Sequence, residues 1–594
     1  MKDFLKYVLA TVVGLLVFFL ILGFFAVMSI AGMVASSDTT VNVKDNSVLV
    51  LDLNSAMEER STSNFMGKLT GQSAEAIGLD DMLSAIKKAK DNDAIKGIYI
   101  ECGLFSSDSP ASSQALRKAL LDFKKSGKWV VAYADQYTQG SYYVASVADK
   151  VWMNPQGMLD WHGMASQHYY LKDLLAKFGV KMQLIKVGSY KSAPEMFVAD
   201  KMSDANREQV TAYVTGIWEN MLKEVSESRK ISIDSLNAYA DRLVMFEGAE
   251  NLVKNKMLDK LLYTDEVKGE VKKLLGITDE DEDIKQLSVE QMKNVKEGKH
   301  KGDEIAVYYA YGDIVEDNSS SVTGSQGHLI KGNETSRDLE KLMNDDNVKA
   351  VVMRVNSGGG SAYASEQIWR AVKNLKAKKP IVVSMGGMAA SGGYYISCEA
   401  NWIVAEPTTL TGSIGIFGLI PDFSGLLTQK LGVKFDEVKT NKNAAFGTMA
   451  RPFNDEEISY LNMYIDRGYK LFRQRVADGR KQSVDDIEKI AQGHVWLGQD
   501  ALKIKLVDQL GGLDDAVKKA AELAKLEEYY TNSYPGLPSF MDQLTTFAET
   551  ENGNYLDARM KEMLGEYYEP FKLMMTLNRQ SPVQARLPFV LSFK

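Results

Sequence analysis

The sequence predicts an α/β protein in which one parallel-sheet unit is written twice behind an N-terminal transmembrane helix. Three observations carry this. Short β-branched runs alternate with helical patterns of about 10–15 residues, the mark of βαβ crossovers and a largely parallel sheet. Stretches of the first half recur, in order, about 252 positions later. An uncharged apolar run opens the chain. The background is ordinary globular composition: 594 residues, 45% hydrophobic and 25% charged. That excludes disorder, collagen and coiled coil as descriptions of the whole.

At the amino terminus, Lys2 and Lys6 precede the run Tyr7–Ser37, which carries no charge. As a helix it would be about 46 Å long, whereas a bilayer core needs about 20 residues. A cleaved signal peptide has an apolar region of only about 7–15 residues, so the run reads as a retained anchor. Lysines before the span, against Asp38 and Asp45 after it, keep the amino terminus in the cytoplasm and put the body across the membrane. Two cysteines, Cys102 and Cys398, are too few for a disulfide framework or a Cys-rich zinc site. A net charge of −8 excludes a global basic footprint for nucleic acid.

The body divides accordingly. After the anchor (1–40) come a first unit (41–296), a polar linker (297–304), a second unit (305–526) and a helical extension and tail (527–594). The duplication rests on ordered matches. KDNDAIKGIYIECGLF (90–105) lies over NDDNVKAVVMRVNSGG (344–359), and KFGVKMQLIKVGSYKSA (177–193) over KLGVKFDEVKTNKNAA (430–445). Between them, KWVVAYADQYTQGSYYVASVADKVWMNP (128–155) lies over PIVVSMGGMAASGGYYISCEANWIVAEP (380–407). In the second unit the pattern predicts strands at 305–311, 350–355 and 380–385, with helices around 336–344, 362–377 and from 391. Segments 453–490, 513–526 and 555–575 read as amphipathic helices, and 527–554 as loop.

Three places could carry chemistry. Ser391, in MAASGGYY, sits between a buried-looking strand and a helix start, where unpaired N–H groups and the positive dipole end lie. It suits a nucleophile with the Gly392 N–H aimed at a forming oxyanion, and by itself it equally suits a helix N-cap. The glycine turn NSGGGS (356–361) offers further N–H groups at Gly359 or Gly360, or is simply a tight turn. It lacks the GxxxxGK[ST] pattern of a nucleotide loop. Lys191, in VGSYKSAPEMF, is flanked by small and aromatic residues that could desolvate its amine and make it a base, although a surface loop lysine has the same sequence. None of the five histidines lies near the serine motif in sequence. The repeat is an internal control. Gln139 stands where the second unit has Ser391, and CGLFSS (102–107) where it has the glycine turn. One composite site per chain fits this divergence better than two independent sites. Tyr142–Tyr143 and Tyr394–Tyr395 recur at helical positions and read as packing, His494 as turn support and Cys398 as a buried apolar-like residue.

RVNSGGGSAYASEQIWRAV, SMGGMAASGGYYIS, PTTLTGSIGIFG and VGSYKSAPEMF together resemble the signal peptide peptidase A (protease IV) family in its long duplicated form. The resemblance extends to QARLPF (584–589) near the end. It implies tandem Clp protease/crotonase-like units in a membrane-anchored, bowl-shaped homotetramer, with the body facing the periplasm of a bacterial inner membrane. It implies a Ser-Lys dyad: Ser391 as nucleophile, Lys191 as general base, and an oxyanion hole from Gly359, Gly360 and Gly392. Ser192, next to the lysine in sequence, could orient it by a hydrogen bond or be merely a loop hydroxyl. No metal or organic cofactor is needed. The implied substrates are signal peptides and other apolar peptides; nucleic acid is not among the partners. Two departures stand out. Gly358 replaces a proline in the turn, and Lys442, near the second-unit equivalent of Lys191, is a local competitor for the base. A crotonase-like enzyme acting on acyl-CoA thioesters would share the fold but leave the anchor and SYKS unexplained. A non-cleaving scaffold would leave the intact serine motif unexplained.

Overall fold

The computed structural model describes residues 41–61, 76–295, 301–317, 328–536 and 583–586, with ten further positions between 6 and 21. Two sheets repeat one strand order. The first runs Lys285–Ser288, Ser47–Leu53, Ile95–Cys102, Trp129–Tyr137, Lys150–Leu159, Lys260–Leu261. The second runs Tyr529–Tyr534, Asp303–Tyr311, Val348–Ser357, Ile381–Ala390, Trp402–Ala405, Gln509–Leu510. Every pairing along both paths is parallel. Central strands such as Val348–Ser357 are buried almost throughout. Both faces are covered by helices, which is why these strands read as continuous apolar runs rather than alternating ones.

The covering layers repeat as well. Leu79, Met82 and Ile86 of helix Leu79–Asp91 and Leu116 and Leu120 of helix Pro110–Lys124 share a core with Leu49, Ile98 and Val130. Leu339 of helix Gly332–Asn344 and Ile368 and Val372 of helix Ala362–Lys376 share one with Val351, Met353 and Val383. On the opposite faces lie Val267 and Val271 of helix Thr264–Leu275, and Ala516 and Ala520 of helix Leu513–Ala524. Helices Asp204–Arg229 and Asp455–Arg480 have 26 residues each and end alike, on Lys230 and Lys481 in the left-handed region. The fold is thus a tandem duplication of an α/β unit.

The units are joined by a mixed sheet. Its order is Leu329–Lys331, Asp313–Val315, Gly359–Ser361, Val583–Arg586, Phe417–Asp422, Lys181–Lys186. The first-unit strand Lys181–Lys186 pairs antiparallel along the whole of second-unit Phe417–Asp422. Val210, Tyr213 and Ile217 of helix Asp204–Arg229 pack on Ala390, Leu410, Val495 and Leu497 of the second unit.

Some expectations differ from what is seen. Tyr529–Tyr534, read as loop and assigned to the tail, is a strand of the second sheet, the counterpart of Lys285–Ser288. It lies at the sheet's edge with several residues exposed, so it carries no apolar signature. Asp303 and Glu304, assigned to the linker, already belong to a strand, and 296–300 lie outside the described residues. The helix expected at 555–575 and most of the Tyr7–Ser37 run also lie outside them. Among the described residues no helix is long and apolar enough to cross a membrane.

Candidate active site

Ser391 follows directly on strand Ile381–Ala390 and caps the six-residue helix Gly392–Ser397. Its N–H donates to Gly412 O (2.8 Å) and its C=O accepts from Tyr395 N–H (2.8 Å). The turn forces φ +56° and ψ −114° on a non-glycine residue. Such backbone costs about 1–3 kcal/mol and persists where surrounding contacts impose it, as at nucleophiles on strand-to-helix turns.

Lys191 arrives from the other unit. Strand Lys181–Lys186, held along Phe417–Asp422, aims the following turn at the second unit. There Tyr190 N–H donates to Gln492 O (3.0 Å). The lysine Nζ then lies 2.7 Å from Ser391 Oγ, 3.0 Å from Ser413 Oγ and 3.1 Å from Ser413 O. Lys191, Ser391 and Ser413 are fully buried. All three partners of the amine are neutral oxygens, so burial pushes the lysine well below its ordinary pKa. An amine whose charged form is disfavoured by burial, in contact with a serine hydroxyl, is placed to take that hydroxyl's proton. Glycine makes the approach possible. A Cβ at Gly493, itself at φ +85°, would sit 2.6–2.7 Å from the Lys191 backbone and Cβ.

The other expected residues fall as follows. Ser192 does not orient the lysine: its hydroxyl donates to Tyr190 O (2.9 Å) and accepts from Gln209 Nε2 (3.0 Å). The amine meets Ser413 instead, which is held by its N–H to His494 O (2.7 Å). Its place in the quoted motif PTTLTGSIGIFG was the available signal. Gly359 N–H donates to the Ser357 hydroxyl (3.1 Å), and Gly360 is in register with Ile314 and Ala585. Gly392 is the first helical residue, where amides have no intrahelical acceptor. Lys442 is exposed and paired with Glu456 at 2.5 Å, and that bond raises its pKa. Gln139 is tied down by its own unit, accepting from His162 N–H (3.1 Å) and Gly163 N–H (3.0 Å). The tyrosine pairs do pack: Tyr142 and Tyr394 hydroxyls donate to Met257 O and Leu506 O. His494 stacks on Trp496 and lies against Tyr190 with its ring tilted, and Cys398 is buried with its thiol on Tyr395 O.

Two supports were invisible in the sequence because their partners are far apart along it. Gln209, fully buried, donates to Tyr190 O and accepts from Val495 N–H (3.1 Å each), tying the lysine turn to the strand after His494. Arg354 donates to Glu59 (2.6 Å) across the units. Asn356, at the root of the glycine turn, donates to Glu59 (3.0 Å) and Asp108 (2.7 Å) and accepts from Met388 N–H (3.1 Å). Burial, then the Glu59 charge, pushes the Asp108 carboxyl up.

The chain is similar to known peptidases along most of its length. The model of peptidase family S49 matches residues 122–278 and 373–527, and that of Clp protease matches 313–403. The chain is 38% identical to Protease 4 of Salmonella typhi, over 91% of this chain and 88% of that one. It is 37% identical to Protease 4 of Haemophilus influenzae, over 75% and 73% of the two chains. With the chloroplastic serine protease SPPA of Arabidopsis thaliana it shares 30% identity, over 82% and 70%. A duplicated, Clp protease-like chain matched in both units therefore belongs to peptidase family S49 and is a serine peptidase.

Proposed function

We propose that the chain is a membrane-anchored endopeptidase with a Ser391–Lys191 dyad. Its substrates are cleaved signal peptides and other apolar peptides at the outer side of a bacterial inner membrane, where the body works as a homotetramer facing the periplasm. The observation that carries the dyad is the 2.7 Å contact between Lys191 Nζ and Ser391 Oγ, both fully buried. Neutral Lys191 takes the Ser391 proton as Oγ attacks the scissile carbonyl. The lysinium, steadied by Ser413, gives that proton to the leaving amine, and water attacks the acyl-serine with the lysine again as base. The oxyanion rests on Gly392 N–H, with the 359–360 turn supplying a second donor once the Ser357 hydroxyl lets go of Gly359. An extended substrate is favoured by the neighbouring sheet. There the chain's own Val583–Arg586 lies antiparallel between Gly359–Ser361 and Phe417–Gly418, a slot built to pair with peptide backbone. The long apolar run at the amino terminus supports the anchor.

The test is turnover of a fluorogenic apolar peptide and of a synthetic signal peptide from pH 6 to 9, with a serine-reactive probe mapped by mass spectrometry. The rate rises with pH as Lys191 loses its proton, and the probe lands on Ser391. A flat profile or a probe on another serine would count against the dyad.

A further inference from the structure

Strands Val348–Ser357 and Ile381–Ala390 carry the two sides of the proposed site. The first runs into the glycine turn, the second into Ser391 and Gly392. Their parallel ladder breaks just before both. Val355 pairs with Met385 and Ser357 with Ala389, so Asn356 alone stands against Gly386, Gly387 and Met388. The counterpart strands of the first unit, Ile95–Cys102 and Trp129–Tyr137, pair without a break up to Cys102 and Ala134. A bulge of this kind re-aims the residues that follow it and interrupts the backbone bonds that would set their spacing.

One side chain closes the gap. Asn356 Oδ1 accepts from the N–H of Met388 (3.1 Å), three residues before Ser391. Its amide nitrogen has two hydrogens, and both go to carboxylates of the first unit: Glu59 Oε2 (3.0 Å) and Asp108 Oδ2 (2.7 Å). An ionised carboxylate only accepts and a backbone N–H only donates, so a flipped amide would forfeit all three bonds. The Asn356 C=O accepts from Gly312 N–H (3.0 Å), at the foot of the strand whose Ile314 lies beside Gly360. First-unit atoms also fill the bulge. A Cβ on Gly386 would lie 3.0 Å from Glu59 Oε2, and one on Gly387 would lie 2.3 Å from Ser109 Cβ and Oγ. Asp108 and Ser109 directly follow Ser106–Ser107, the first-unit strand that holds the place of Gly359–Ser361. The turn that lost its glycines is thus pressed against the one that kept them.

We propose that Asn356 is a positioning residue for the peptidase reaction and that Asp108 and Glu59 of the first unit hold it. Its amide sets the distance between the turn bearing Gly359 and Gly360 and the strand end bearing Ser391 and Gly392. The two sides of the oxyanion hole then meet one tetrahedral oxygen together. Asn356 acts through these backbone groups and not on the substrate. The first unit therefore reaches both parts of the reaction: Lys191 meets the nucleophile, and Asp108 with Glu59 squares the hole. This deepens the proposed function and rests on its oxyanion hole. Donors that bind the developing charge act in the transition state, so displacing them lowers kcat and leaves substrate binding alone.

The experiment compares full-chain wild type, Asn356→Ala, Asp108→Ala and Asp108→Asn in detergent, with circular dichroism as the check on folding. Asp108 is only half-buried, so its two variants carry the test if Asn356→Ala does not fold. Both alanine variants lower kcat for a fluorogenic apolar peptide by about 10–100-fold and change KM by less than about two-fold, the scale of a misplaced oxyanion donor. Asp108→Asn keeps an acceptor oxygen for the Asn356 amide and recovers most of the rate. Hydrogen exchange read by mass spectrometry, with no peptide present, speeds up in the alanine variants at both 357–361 and 386–392. An unchanged kcat in folded Asp108→Ala, a loss that falls on KM alone, or an Asp108→Asn as slow as Asp108→Ala each overturns the proposal. The exchange data separate it from the reading beneath it. Wild type that cleaves nothing, beside faster exchange in the variants, removes the peptidase reading and keeps the clamp between units. Wild type that cleaves, beside variants with unchanged exchange and unchanged kcat, removes only this inference.

Discussion

Ser413 makes two of the contacts that hold the Lys191 amine. The amine has three oxygen partners, and two belong to this one residue. Removing the hydroxyl in Ser413→Ala leaves the carbonyl in place, so the base survives but wanders. The expected result is a kcat lower by about 10–100-fold with KM little changed, the scale of one charge-assisted hydrogen bond lost after substrate binds. Burial of Lys191 also has a thermodynamic signature. Its folded pKa lies well below 10.5, whereas the unfolded chain titrates near about 10.4. Between the two values the unfolded state holds a proton that the folded state lacks, so stability rises with pH there, by at most about 1.4 kcal/mol per pH unit. Denaturant titrations across pH 6–10 should show wild type gaining stability relative to Lys191→Met as pH climbs. Parallel curves would mean that the lysine is not desolvated.

At the scale of elements, the glycine turn depends on a network reaching between units. Arg354 and Glu59 form a buried pair, and Asn356 links that pair to Asp108 and Met388. Glu59→Ala strands the Arg354 guanidinium without its counter-charge, at a cost of about 3–5 kcal/mol by chemical denaturation. Replacing both members by apolar residues of similar volume should recover much of that loss. The contrast shows what was legible in the sequence. Strands such as Val348–Ser357 announce themselves because both faces are buried, and the repeat located Ser391 and Lys191 by what the first unit had lost and kept. Glu59 and Arg354 are 295 positions apart, and nothing local to either marks the pair. Ser192 looked like the lysine's orienter because it is its neighbour in sequence. The turn points that hydroxyl at Tyr190 O and brings in Ser413 from 222 positions away. The edge strand Tyr529–Tyr534 was missed because strand signals read from sequence are burial signals, and an edge is only half buried.

For the whole molecule, duplication explains why one chain carries one site. Each unit supplies the scaffold, and divergence left the serine and the glycine turn in the second and the buried lysine that meets the serine in the first. Gln139 now knits its own unit together where a nucleophile would stand. Lys442, the repeat's version of the base, lies in solvent against Glu456. The cross-unit dyad is the central claim, and one comparison tests it most directly: turnover of a fluorogenic apolar peptide by wild type, Ser391→Ala, Lys191→Ala and Lys442→Ala. The expected result is a loss of about three orders of magnitude or more for the first two variants, with Lys442→Ala unchanged. An active Lys191→Ala beside a dead Lys442→Ala would contradict it and place the whole site within the second unit.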